Sequence, residues 1–141
     1  MIIWLTGNSG SGKTTLARAL KARIDRCIIL DGDEMRASIS VGVGFSMEER
    51  EEHNLRVARL AKVMESQGFI IIVSVIAPFA STRAKINDII SCKWVYVKRD
   101  SIAGRPGYPY EAPENADLVV DSDILTADQQ ADLVVAKLLS K

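Results

Sequence analysis

The feature that most constrains this chain is a glycine-rich octapeptide near its amino terminus. Residues 7–14 read Gly-Asn-Ser-Gly-Ser-Gly-Lys-Thr and fit the phosphate-binding pattern G-x-x-x-x-G-K-[ST] at every fixed position. The octapeptide follows an apolar run typical of a strand, Ile2–Thr6, and precedes a helix predicted over 14–24. In this context backbone N–H groups can close around phosphates, and the helix dipole favours their negative charge. The first ligand that the sequence indicates is ATP or GTP.

The polar residues of this loop have separate expected roles. We expect Lys13 to reach the β- and γ-phosphates, and the Thr14 hydroxyl to bind Mg²⁺. A glycine-rich segment can also merely join a strand to a helix, but the complete match favours nucleotide binding. The predicted ATP-binding residues of the loop are Asn8, Ser9, Gly10, Ser11, Gly12, Lys13, Thr14 and Thr15.

Composition limits the class of protein. The 141 residues are 48% hydrophobic, which suits one compact domain, and we predict a single domain over 1–141. The 18 basic and 18 acidic side chains cancel, so the overall balance indicates no nucleic-acid or membrane partner. No signal peptide or membrane-length apolar run is recognisable, and we expect a cytoplasmic protein. Cys27 and Cys92 are expected to be small core residues.

Apolar runs of strand length alternate with helix-like segments, which is the pattern of a parallel sheet covered on both faces. We predict five strands, at Ile2–Thr6, Cys27–Asp31, 69–75, 94–98 and Leu118–Asp121. Ser46 with Glu49, and Thr126 with Gln129, have the spacing of capping boxes and predict the starts of two helices. Gly68 is the expected end of the first of these helices. The predicted fold class is therefore α/β, with a loop at 104–113.

Carboxylates follow the second predicted strand, at the sheet edge where ligands of open parallel sheets bind. Asp31 and Asp33 suit two tasks of phosphoryl transfer, which are to support Mg²⁺ and to orient or deprotonate an acceptor hydroxyl. The alternatives are that Asp33 caps a short helix and that Arg36 is a surface charge. The third strand ends in Ser74 without the acidic residue that motor and helicase ATPases carry, so those classes are disfavoured.

Five short motifs together resemble the adenylylsulfate kinase family. They are residues 7–15, L-D-G-D at 30–33 with Arg36, G-F-S at 44–46 with Arg50, S-V-I at 74–76 with P-F at 78–79, and Y-E-A-P at 110–113. Members of that family transfer the γ-phosphoryl group of ATP, with Mg²⁺, to the 3′-hydroxyl of adenosine 5′-phosphosulfate. The resemblance runs along essentially the whole chain and implies a single P-loop kinase domain, a small-molecule nucleotide acceptor and a homodimer.

The resemblance also implies roles for particular residues. The candidate catalytic residues are Lys13, Asp31 and Asp33, the candidate metal-binding residues are Thr14 and Asp31, and Arg99 would lie near the adenine or the phosphates of ATP. The acceptor would lie against Asp33, Arg36, Phe45, Arg50, His53, Ile76 and Pro78. Which aspartate is the base and which supports the metal is left open. The alternatives are a core position beside a helix for Phe45 and a solvated surface position for His53.

The chain also departs from the family pattern. Only nine residues separate Asp100 from Tyr110, where the family has a longer lid with a K-G-L-Y motif and a second aromatic clamp. We predict a short lid around 100–113, in which Arg105 or Tyr108 could substitute in part. His53 stands where the family usually has Asn, with Asn54 one place later, and Ala77 replaces a frequent Ser. Two alternatives follow, a kinase for another nucleotide conjugate such as cytidine diphosphoramidate, and an ATP-binding regulatory module without transferase activity.

Overall fold

The computed structural model describes residues 1–102 and 109–139. Within them, five parallel strands form one sheet in the order β2-β3-β1-β4-β5. The strands are β1 (Ile2–Thr6), β2 (Cys27–Asp31), β3 (Ile70–Ser74), β4 (Lys93–Lys98) and β5 (Leu118–Asp121). The helices are α1 (Lys13–Lys21), α2 (Gly32–Arg36), α3 (Met47–Glu65), α4 (Ala80–Ile89) and α5 (Ala127–Val134), with a π-helical extension at Val135–Leu139. The predicted five-stranded α/β fold is confirmed.

Helices cover both faces of the sheet because successive strand residues point to opposite sides. On one face Leu16 and Leu20 of α1 and Val134 of α5 pack on β1 and its neighbours. On the other face Val57 of α3 and Ile86 of α4 pack on the alternate residues of the same strands. All five side chains are buried, and each contributes about 1.5–3 kcal/mol relative to an exposed position. Helices therefore shield both faces of the sheet from solvent.

Two tryptophans lie in the core beneath α3 and α4. The rings of Trp4 and Trp94 are 5.2 Å apart between centroids. The indole of Trp4 is fully buried and donates a hydrogen bond of 2.9 Å to the backbone oxygen of Val75, just beyond β3. A tryptophan on β1 therefore fixes the backbone where β3 ends.

Local capping signals decide where three helices begin. Ser46 and Thr126 each accept the backbone N–H three residues on, and the side chains of Glu49 and Gln129 return the bond, so both predicted capping boxes are confirmed. At α2 the cap is Asp31, whose side chain accepts from the backbone N–H of the residue two positions later. The alternative that Asp33 caps this helix is therefore wrong.

One helix boundary and one whole helix differ from the sequence-based prediction. Helix α1 ends at Lys21, because the chain turns through Ala22 and Arg23, which donate to the backbone oxygens of Arg18 and Leu20. Helix α4 was not predicted, and its N-cap, Phe79, offers no side-chain hydrogen bond. The remaining part of the predicted 104–113 loop, residues 109–113, has neither helix nor strand, whereas residues 103–108, including Arg105 and Tyr108, lie outside the described residues.

Both cysteines were expected in the core, but only Cys27 is buried. Cys27 is buried in the α1 side of the sheet, whereas Cys92 is half-buried before β4. Burial, aided by Asp117 and Glu65, raises the pKa of Cys92 to about 12, so this thiol is protonated at neutral pH. No helix in the described ranges has the length and apolarity needed to cross a bilayer.

Candidate active site

A cleft of about 680 Å³ opens at the carboxyl ends of the strands. It is lined by every predicted site residue except one, namely Asn8, Ser9, Gly10, Gly12, Lys13, Thr14, Thr15, Asp31, Asp33, Arg36, Phe45, Arg50, His53, Ile76, Pro78 and Arg99. Ser11 is buried, and it borders a second depression of about 270 Å³ on the other side of the loop. The strand-end location follows from the sheet topology, since open parallel sheets bind ligands at this edge.

One side of the cleft, the donor wall, consists of residues 7–15 together with Arg99. Its backbone turns at Gly12, where φ is +104°, a conformation that residues with a Cβ rarely adopt. Gly7 permits close approach, because a Cβ there would lie 2.7 Å from Ser11 Oγ. The loop shape therefore depends on glycine at these two positions.

Lys13 is folded back onto the donor wall. Its Nζ donates to the backbone oxygens of Gly7 and Asn8, both at 2.8 Å. Burial lowers the pKa of Lys13 to about 8, although the charge of Asp31 acts in the opposite direction. The ammonium is thus poorly solvated and only weakly neutralised, and an anion placed here would be a better partner than two carbonyl oxygens.

Two side chains, Arg99 of the donor wall and Ser122 outside it, donate to the backbone of the glycine-rich loop, and the sequence predicted only Arg99. Arg99 Nη1 donates to the Gly10 oxygen at 3.0 Å, and Ser122 Oγ donates to the Ser11 oxygen at 2.7 Å. Gln130 Nε2 donates in turn to Ser122 Oγ at 3.2 Å. The only sequence signal for Ser122 was its position directly after the fifth strand.

The oxygen atoms beside the donor wall fit a magnesium ion. Thr14 Oγ1 donates to Asp31 Oδ1 at 3.1 Å. Ser74 is the register partner of Asp31 on the neighbouring strand, and its buried Oγ has no hydrogen-bond partner among the described residues. Mg²⁺ prefers oxygen ligands and usually takes few from the protein, leaving the rest to phosphates and water. Among those residues there is no cluster of three acidic, His or Cys side chains that could hold a metal ion.

The opposite side, the acceptor wall, consists of Arg36, Phe45, Arg50, His53 and Asn54. The Arg36 guanidinium lies 4.1 Å from the centroid of the Phe45 ring, and that of Arg50 lies 6.0 Å from it. Phe45 is 52% exposed, so the alternative of a core position is wrong. The ring presents one face to a cation and leaves surface open to the cleft, which suits stacking of a planar group.

The loop that carries Phe45 is fixed on both sides. Arg36 Nη1 donates to the backbone oxygens of Val43 at 3.0 Å and Gly44 at 2.9 Å, so Arg36 is not a free surface charge. The Gly44 N–H donates to Glu49 Oε2 at 2.6 Å, and this bond lowers the pKa of the Glu49 carboxyl. The capping box of α3 therefore also positions the aromatic ring.

His53 is buried in the acceptor wall and not on the surface. Its side chain is 4% exposed, and its Nδ1 is 2.8 Å from Ser40 Oγ. Burial, followed by the positive charges of Arg36 and Arg56, lowers its pKa to about 4. The alternative of a solvated surface histidine is wrong, and the imidazole is neutral at physiological pH.

Asn54, the residue next to His53, was not among the predicted site residues. Asn54 is 2% exposed and lines the cleft, but its Oδ1 has no hydrogen-bond partner among the described residues. One signal was available, because Asn54 is four residues after Arg50 and therefore lies on the same face of α3.

The comparisons with known proteins agree with this geometry. The adenylylsulphate kinase family model matches residues 1–101. A probable adenylyl-sulfate kinase of Pyrococcus abyssi is 38% identical over 96% of this chain and 92% of its own length. The adenylyl-sulfate kinase of Myxococcus xanthus is 35% identical over 90% of this chain and 84% of its own length.

A solved structure extends the similarity to three dimensions. The APS kinase of Mycobacterium tuberculosis in complex with AMPPNP and APS superposes with a TM-score of 0.88 at 28% identity, covering 99% of this chain and 97% of that one. The family model spans most of the chain, and two relatives exceed 30% identity over nearly all of it. The chain therefore belongs to the adenylylsulfate kinase family.

Proposed function

We propose that this protein transfers the γ-phosphoryl group of ATP to the 3′-hydroxyl of adenosine 5′-phosphosulfate (adenylyl sulfate). One observation carries the proposal: the donor wall and the acceptor wall border the same cleft, with Asp31 and Asp33 between them. A cleft of about 680 Å³ lies in the range for small-molecule sites and can bring two ligands together. Proximity of this kind is a major part of phosphoryl-transfer catalysis.

The donor wall would hold the triphosphate of ATP. Its backbone N–H groups and the N-terminus of α1 favour phosphate, and Lys13 would exchange the carbonyl oxygens of Gly7 and Asn8 for the β- and γ-phosphates. The adjoining depression between Arg99 and Gln130 would take the nucleoside part. Phosphate binding would thus give the buried ammonium an anionic partner in place of two carbonyl oxygens.

Thr14 and Asp31 would hold Mg²⁺, with Ser74 beside them. When bound, the ion would neutralise charge on the β- and γ-phosphates. Asp31 also caps α2, and its two carboxylate oxygens divide these tasks, since Oδ1 accepts from Thr14 and Oδ2 from the Asp33 N–H. Its position therefore favours metal support over proton abstraction.

Asp33 would act as the general base. Its carboxylate is exposed to the cleft in the first turn of α2, one turn before Arg36. The acceptor's 3′-oxygen attacks the γ-phosphorus, the bond from that phosphorus to the β-bridging oxygen breaks, ADP leaves, and the hydroxyl proton passes to Asp33. General-base catalysis of this kind contributes about 10²- to 10⁴-fold.

The acceptor wall would bind the acceptor by its two most distinctive groups. Phe45 would stack on the base, and the guanidinium groups of Arg36 and Arg50 would attract the phosphosulfate. His53 would meet the acceptor as a neutral group. The hydrogen bond between His53 Nδ1 and Ser40 Oγ decides what the other ring nitrogen can do. If Nδ1 donates, Nε2 is an acceptor; if Ser40 Oγ donates, Nε2 carries the proton and is a donor.

Several finer predictions belong to the same proposal. The roles of individual residues, the Mg²⁺ requirement, the single domain over 1–141 with a short lid, the homodimer and the cytoplasmic location all stay predictions. The part of the lid at 103–108 lies outside the described residues.

A coupled assay of ADP release tests the proposal. Purified protein with Mg-ATP is supplied with adenylyl sulfate, with cytidine and uridine conjugates, or with no acceptor. Turnover that depends on adenylyl sulfate is expected. Turnover only with a cytidine conjugate would replace the acceptor, and ATP binding without any transfer would indicate the regulatory module.

A further inference from the structure

An asparagine lies unsatisfied inside the acceptor wall. Asn54 is 2% exposed, and its Oδ1 accepts no hydrogen bond from the described residues. A buried polar atom without a partner costs about 1–3 kcal/mol. Asn is also a poor residue for a helix interior, where Leu would be better on both counts. Stability therefore does not explain this side chain.

The neighbours of Asn54 on α3 differ from it in this respect. His53 Nδ1 pairs with Ser40 Oγ at 2.8 Å, and Arg56 Nη1 donates to the Ile39 oxygen at 2.8 Å. Both partners belong to the segment between α2 and α3, which satisfies the side chains that face it. Asn54 instead lines the cleft, so its missing partner is expected to come from a ligand.

The position of Asn54 along α3 indicates which part of the acceptor it would meet. Phe45 is at the exposed rim, Arg50 is half-buried one helical turn before Asn54, and Asn54 is fully buried. Burial thus increases along the acceptor wall from the aromatic ring to the amide. An acceptor with its base on Phe45 must place its sugar deeper for a hydroxyl to reach the γ-phosphoryl group.

The chemistry of Asn54 Oδ1 limits which group of the ligand can bind to it. Oδ1 of an amide is an acceptor only, so it repels an anionic oxygen and requires an N–H or O–H donor. The anionic end of the acceptor already has guanidinium groups on this wall. A sugar hydroxyl supplies the donor at the right depth.

We propose that Asn54 is a specificity residue that accepts a hydrogen bond from the 2′-hydroxyl of the acceptor ribose, next to the hydroxyl that is phosphorylated. This inference rests on the proposed function. It makes the enzyme selective for ribonucleotide over 2′-deoxyribonucleotide acceptors, because without the 2′-hydroxyl Asn54 stays unsatisfied in the complex.

Calorimetric titration tests this inference on the full chain with Mg-ADP present. The acceptors are adenylyl sulfate and its 2′-deoxy analogue, and the proteins are the wild type, Asn54→Ala and Asn54→Leu. The wild type is expected to bind the ribose form about tenfold more tightly than the deoxy form. Both variants should bind the two forms equally, at the affinity of the wild type for the deoxy form.

Two further measurements separate this role from a structural one. Asn54→Leu should unfold at the same denaturant concentration as the wild type or at a higher one, because Oδ1 has no hydrogen bond to the described residues that the change could remove. Asn115→Ala, in an exposed loop away from the cleft, is the matched control and should keep the wild-type preference. Unchanged affinities, or an equal loss for both acceptor forms, would overturn the assignment. If the wild type binds neither acceptor, the proposed function is wrong and this inference fails with it.

Discussion

The two walls of the cleft differ in whether their buried polar groups have hydrogen-bond partners within the protein. The donor wall satisfies its strongest polar group internally, since the Lys13 ammonium lies on the carbonyl oxygens of Gly7 and Asn8. In the acceptor wall, the buried amide oxygen of Asn54 accepts no hydrogen bond from any described residue. An anionic ligand can replace the carbonyl oxygens that Lys13 contacts, whereas an unsatisfied acceptor atom favours a ligand that supplies the missing donor. The donor wall is therefore built for affinity, and the acceptor wall for discrimination.

The largest expected effect breaks the donor wall. Lys13→Ala would remove the counter-charge that we propose for the β- and γ-phosphates, so we expect turnover to fall by about 10³-fold or more, with weaker ATP binding. Binding of the acceptor alone should be little changed. Lys21→Ala, an exposed lysine on the same helix, is the control. Normal kinetics in Lys13→Ala, measured as kcat and the Kd for ATP, would contradict the role of the loop.

The second-largest expected effect is on turnover and concerns Asp33, which lies between the two walls. Asp33→Asn keeps the shape of the side chain but not its basicity, and we expect turnover to fall by about 10²- to 10⁴-fold. The Kd values for ATP and for the acceptor should stay close to those of the wild type. Glu34→Gln, at the next residue, should leave all three quantities unchanged. Full turnover in Asp33→Asn would assign the proton to another group.

A smaller effect sharpens the acceptor wall alone. Phe45→Ala would remove the proposed stacking surface, which is worth about 1–3 kcal/mol per base, so acceptor binding should weaken by roughly 5- to 150-fold. The affinity for ATP should not change. Met47→Ala removes another exposed apolar side chain from the same region and serves as the control. Equal losses in the two variants would mean that Phe45 has no specific contact.

The smallest effect concerns acid stability. The pKa of His53 is about 4 in the folded protein against an ordinary value of 6.5, so below pH 6.5 the unfolded chain binds the extra proton first. Stability is therefore lost as the pH falls. Between pH 6.5 and 5.5 the wild type should lose about 1 kcal/mol more than His53→Gln. Urea unfolding at the two pH values measures this, and parallel losses would show that His53 is not held neutral.

Local signals made most of the fold predictable. The strands read as continuous apolar runs because both faces of the sheet are covered. Helix α4 escaped prediction because tertiary contacts fix its start: Arg83 Nη1 donates to the Ala77 oxygen at 2.7 Å, and the Ala80 N–H donates to Glu111 Oε1 at 2.8 Å. Neither contact is visible in the local sequence.

The candidate site was predictable to a different degree. Lys13 and Asp33 follow strands, so the rule for parallel sheets places them at one edge. The burial of His53 could not be predicted, because it depends on the segment that carries Ser40 folding over α3. Whether Asn54 Oδ1 has a hydrogen-bond partner depends on how the whole chain packs, so the sequence does not show it.

The paired tryptophans provide a way to follow structural changes at the cleft. Trp4 and Trp94 are in contact, and the chain has only these two indoles. Trp4 holds the oxygen of Val75, a residue that lines the cleft. A ligand that moved Val75 would change the environment of the Trp4 indole, so we expect intrinsic tryptophan fluorescence to detect such a movement without a label.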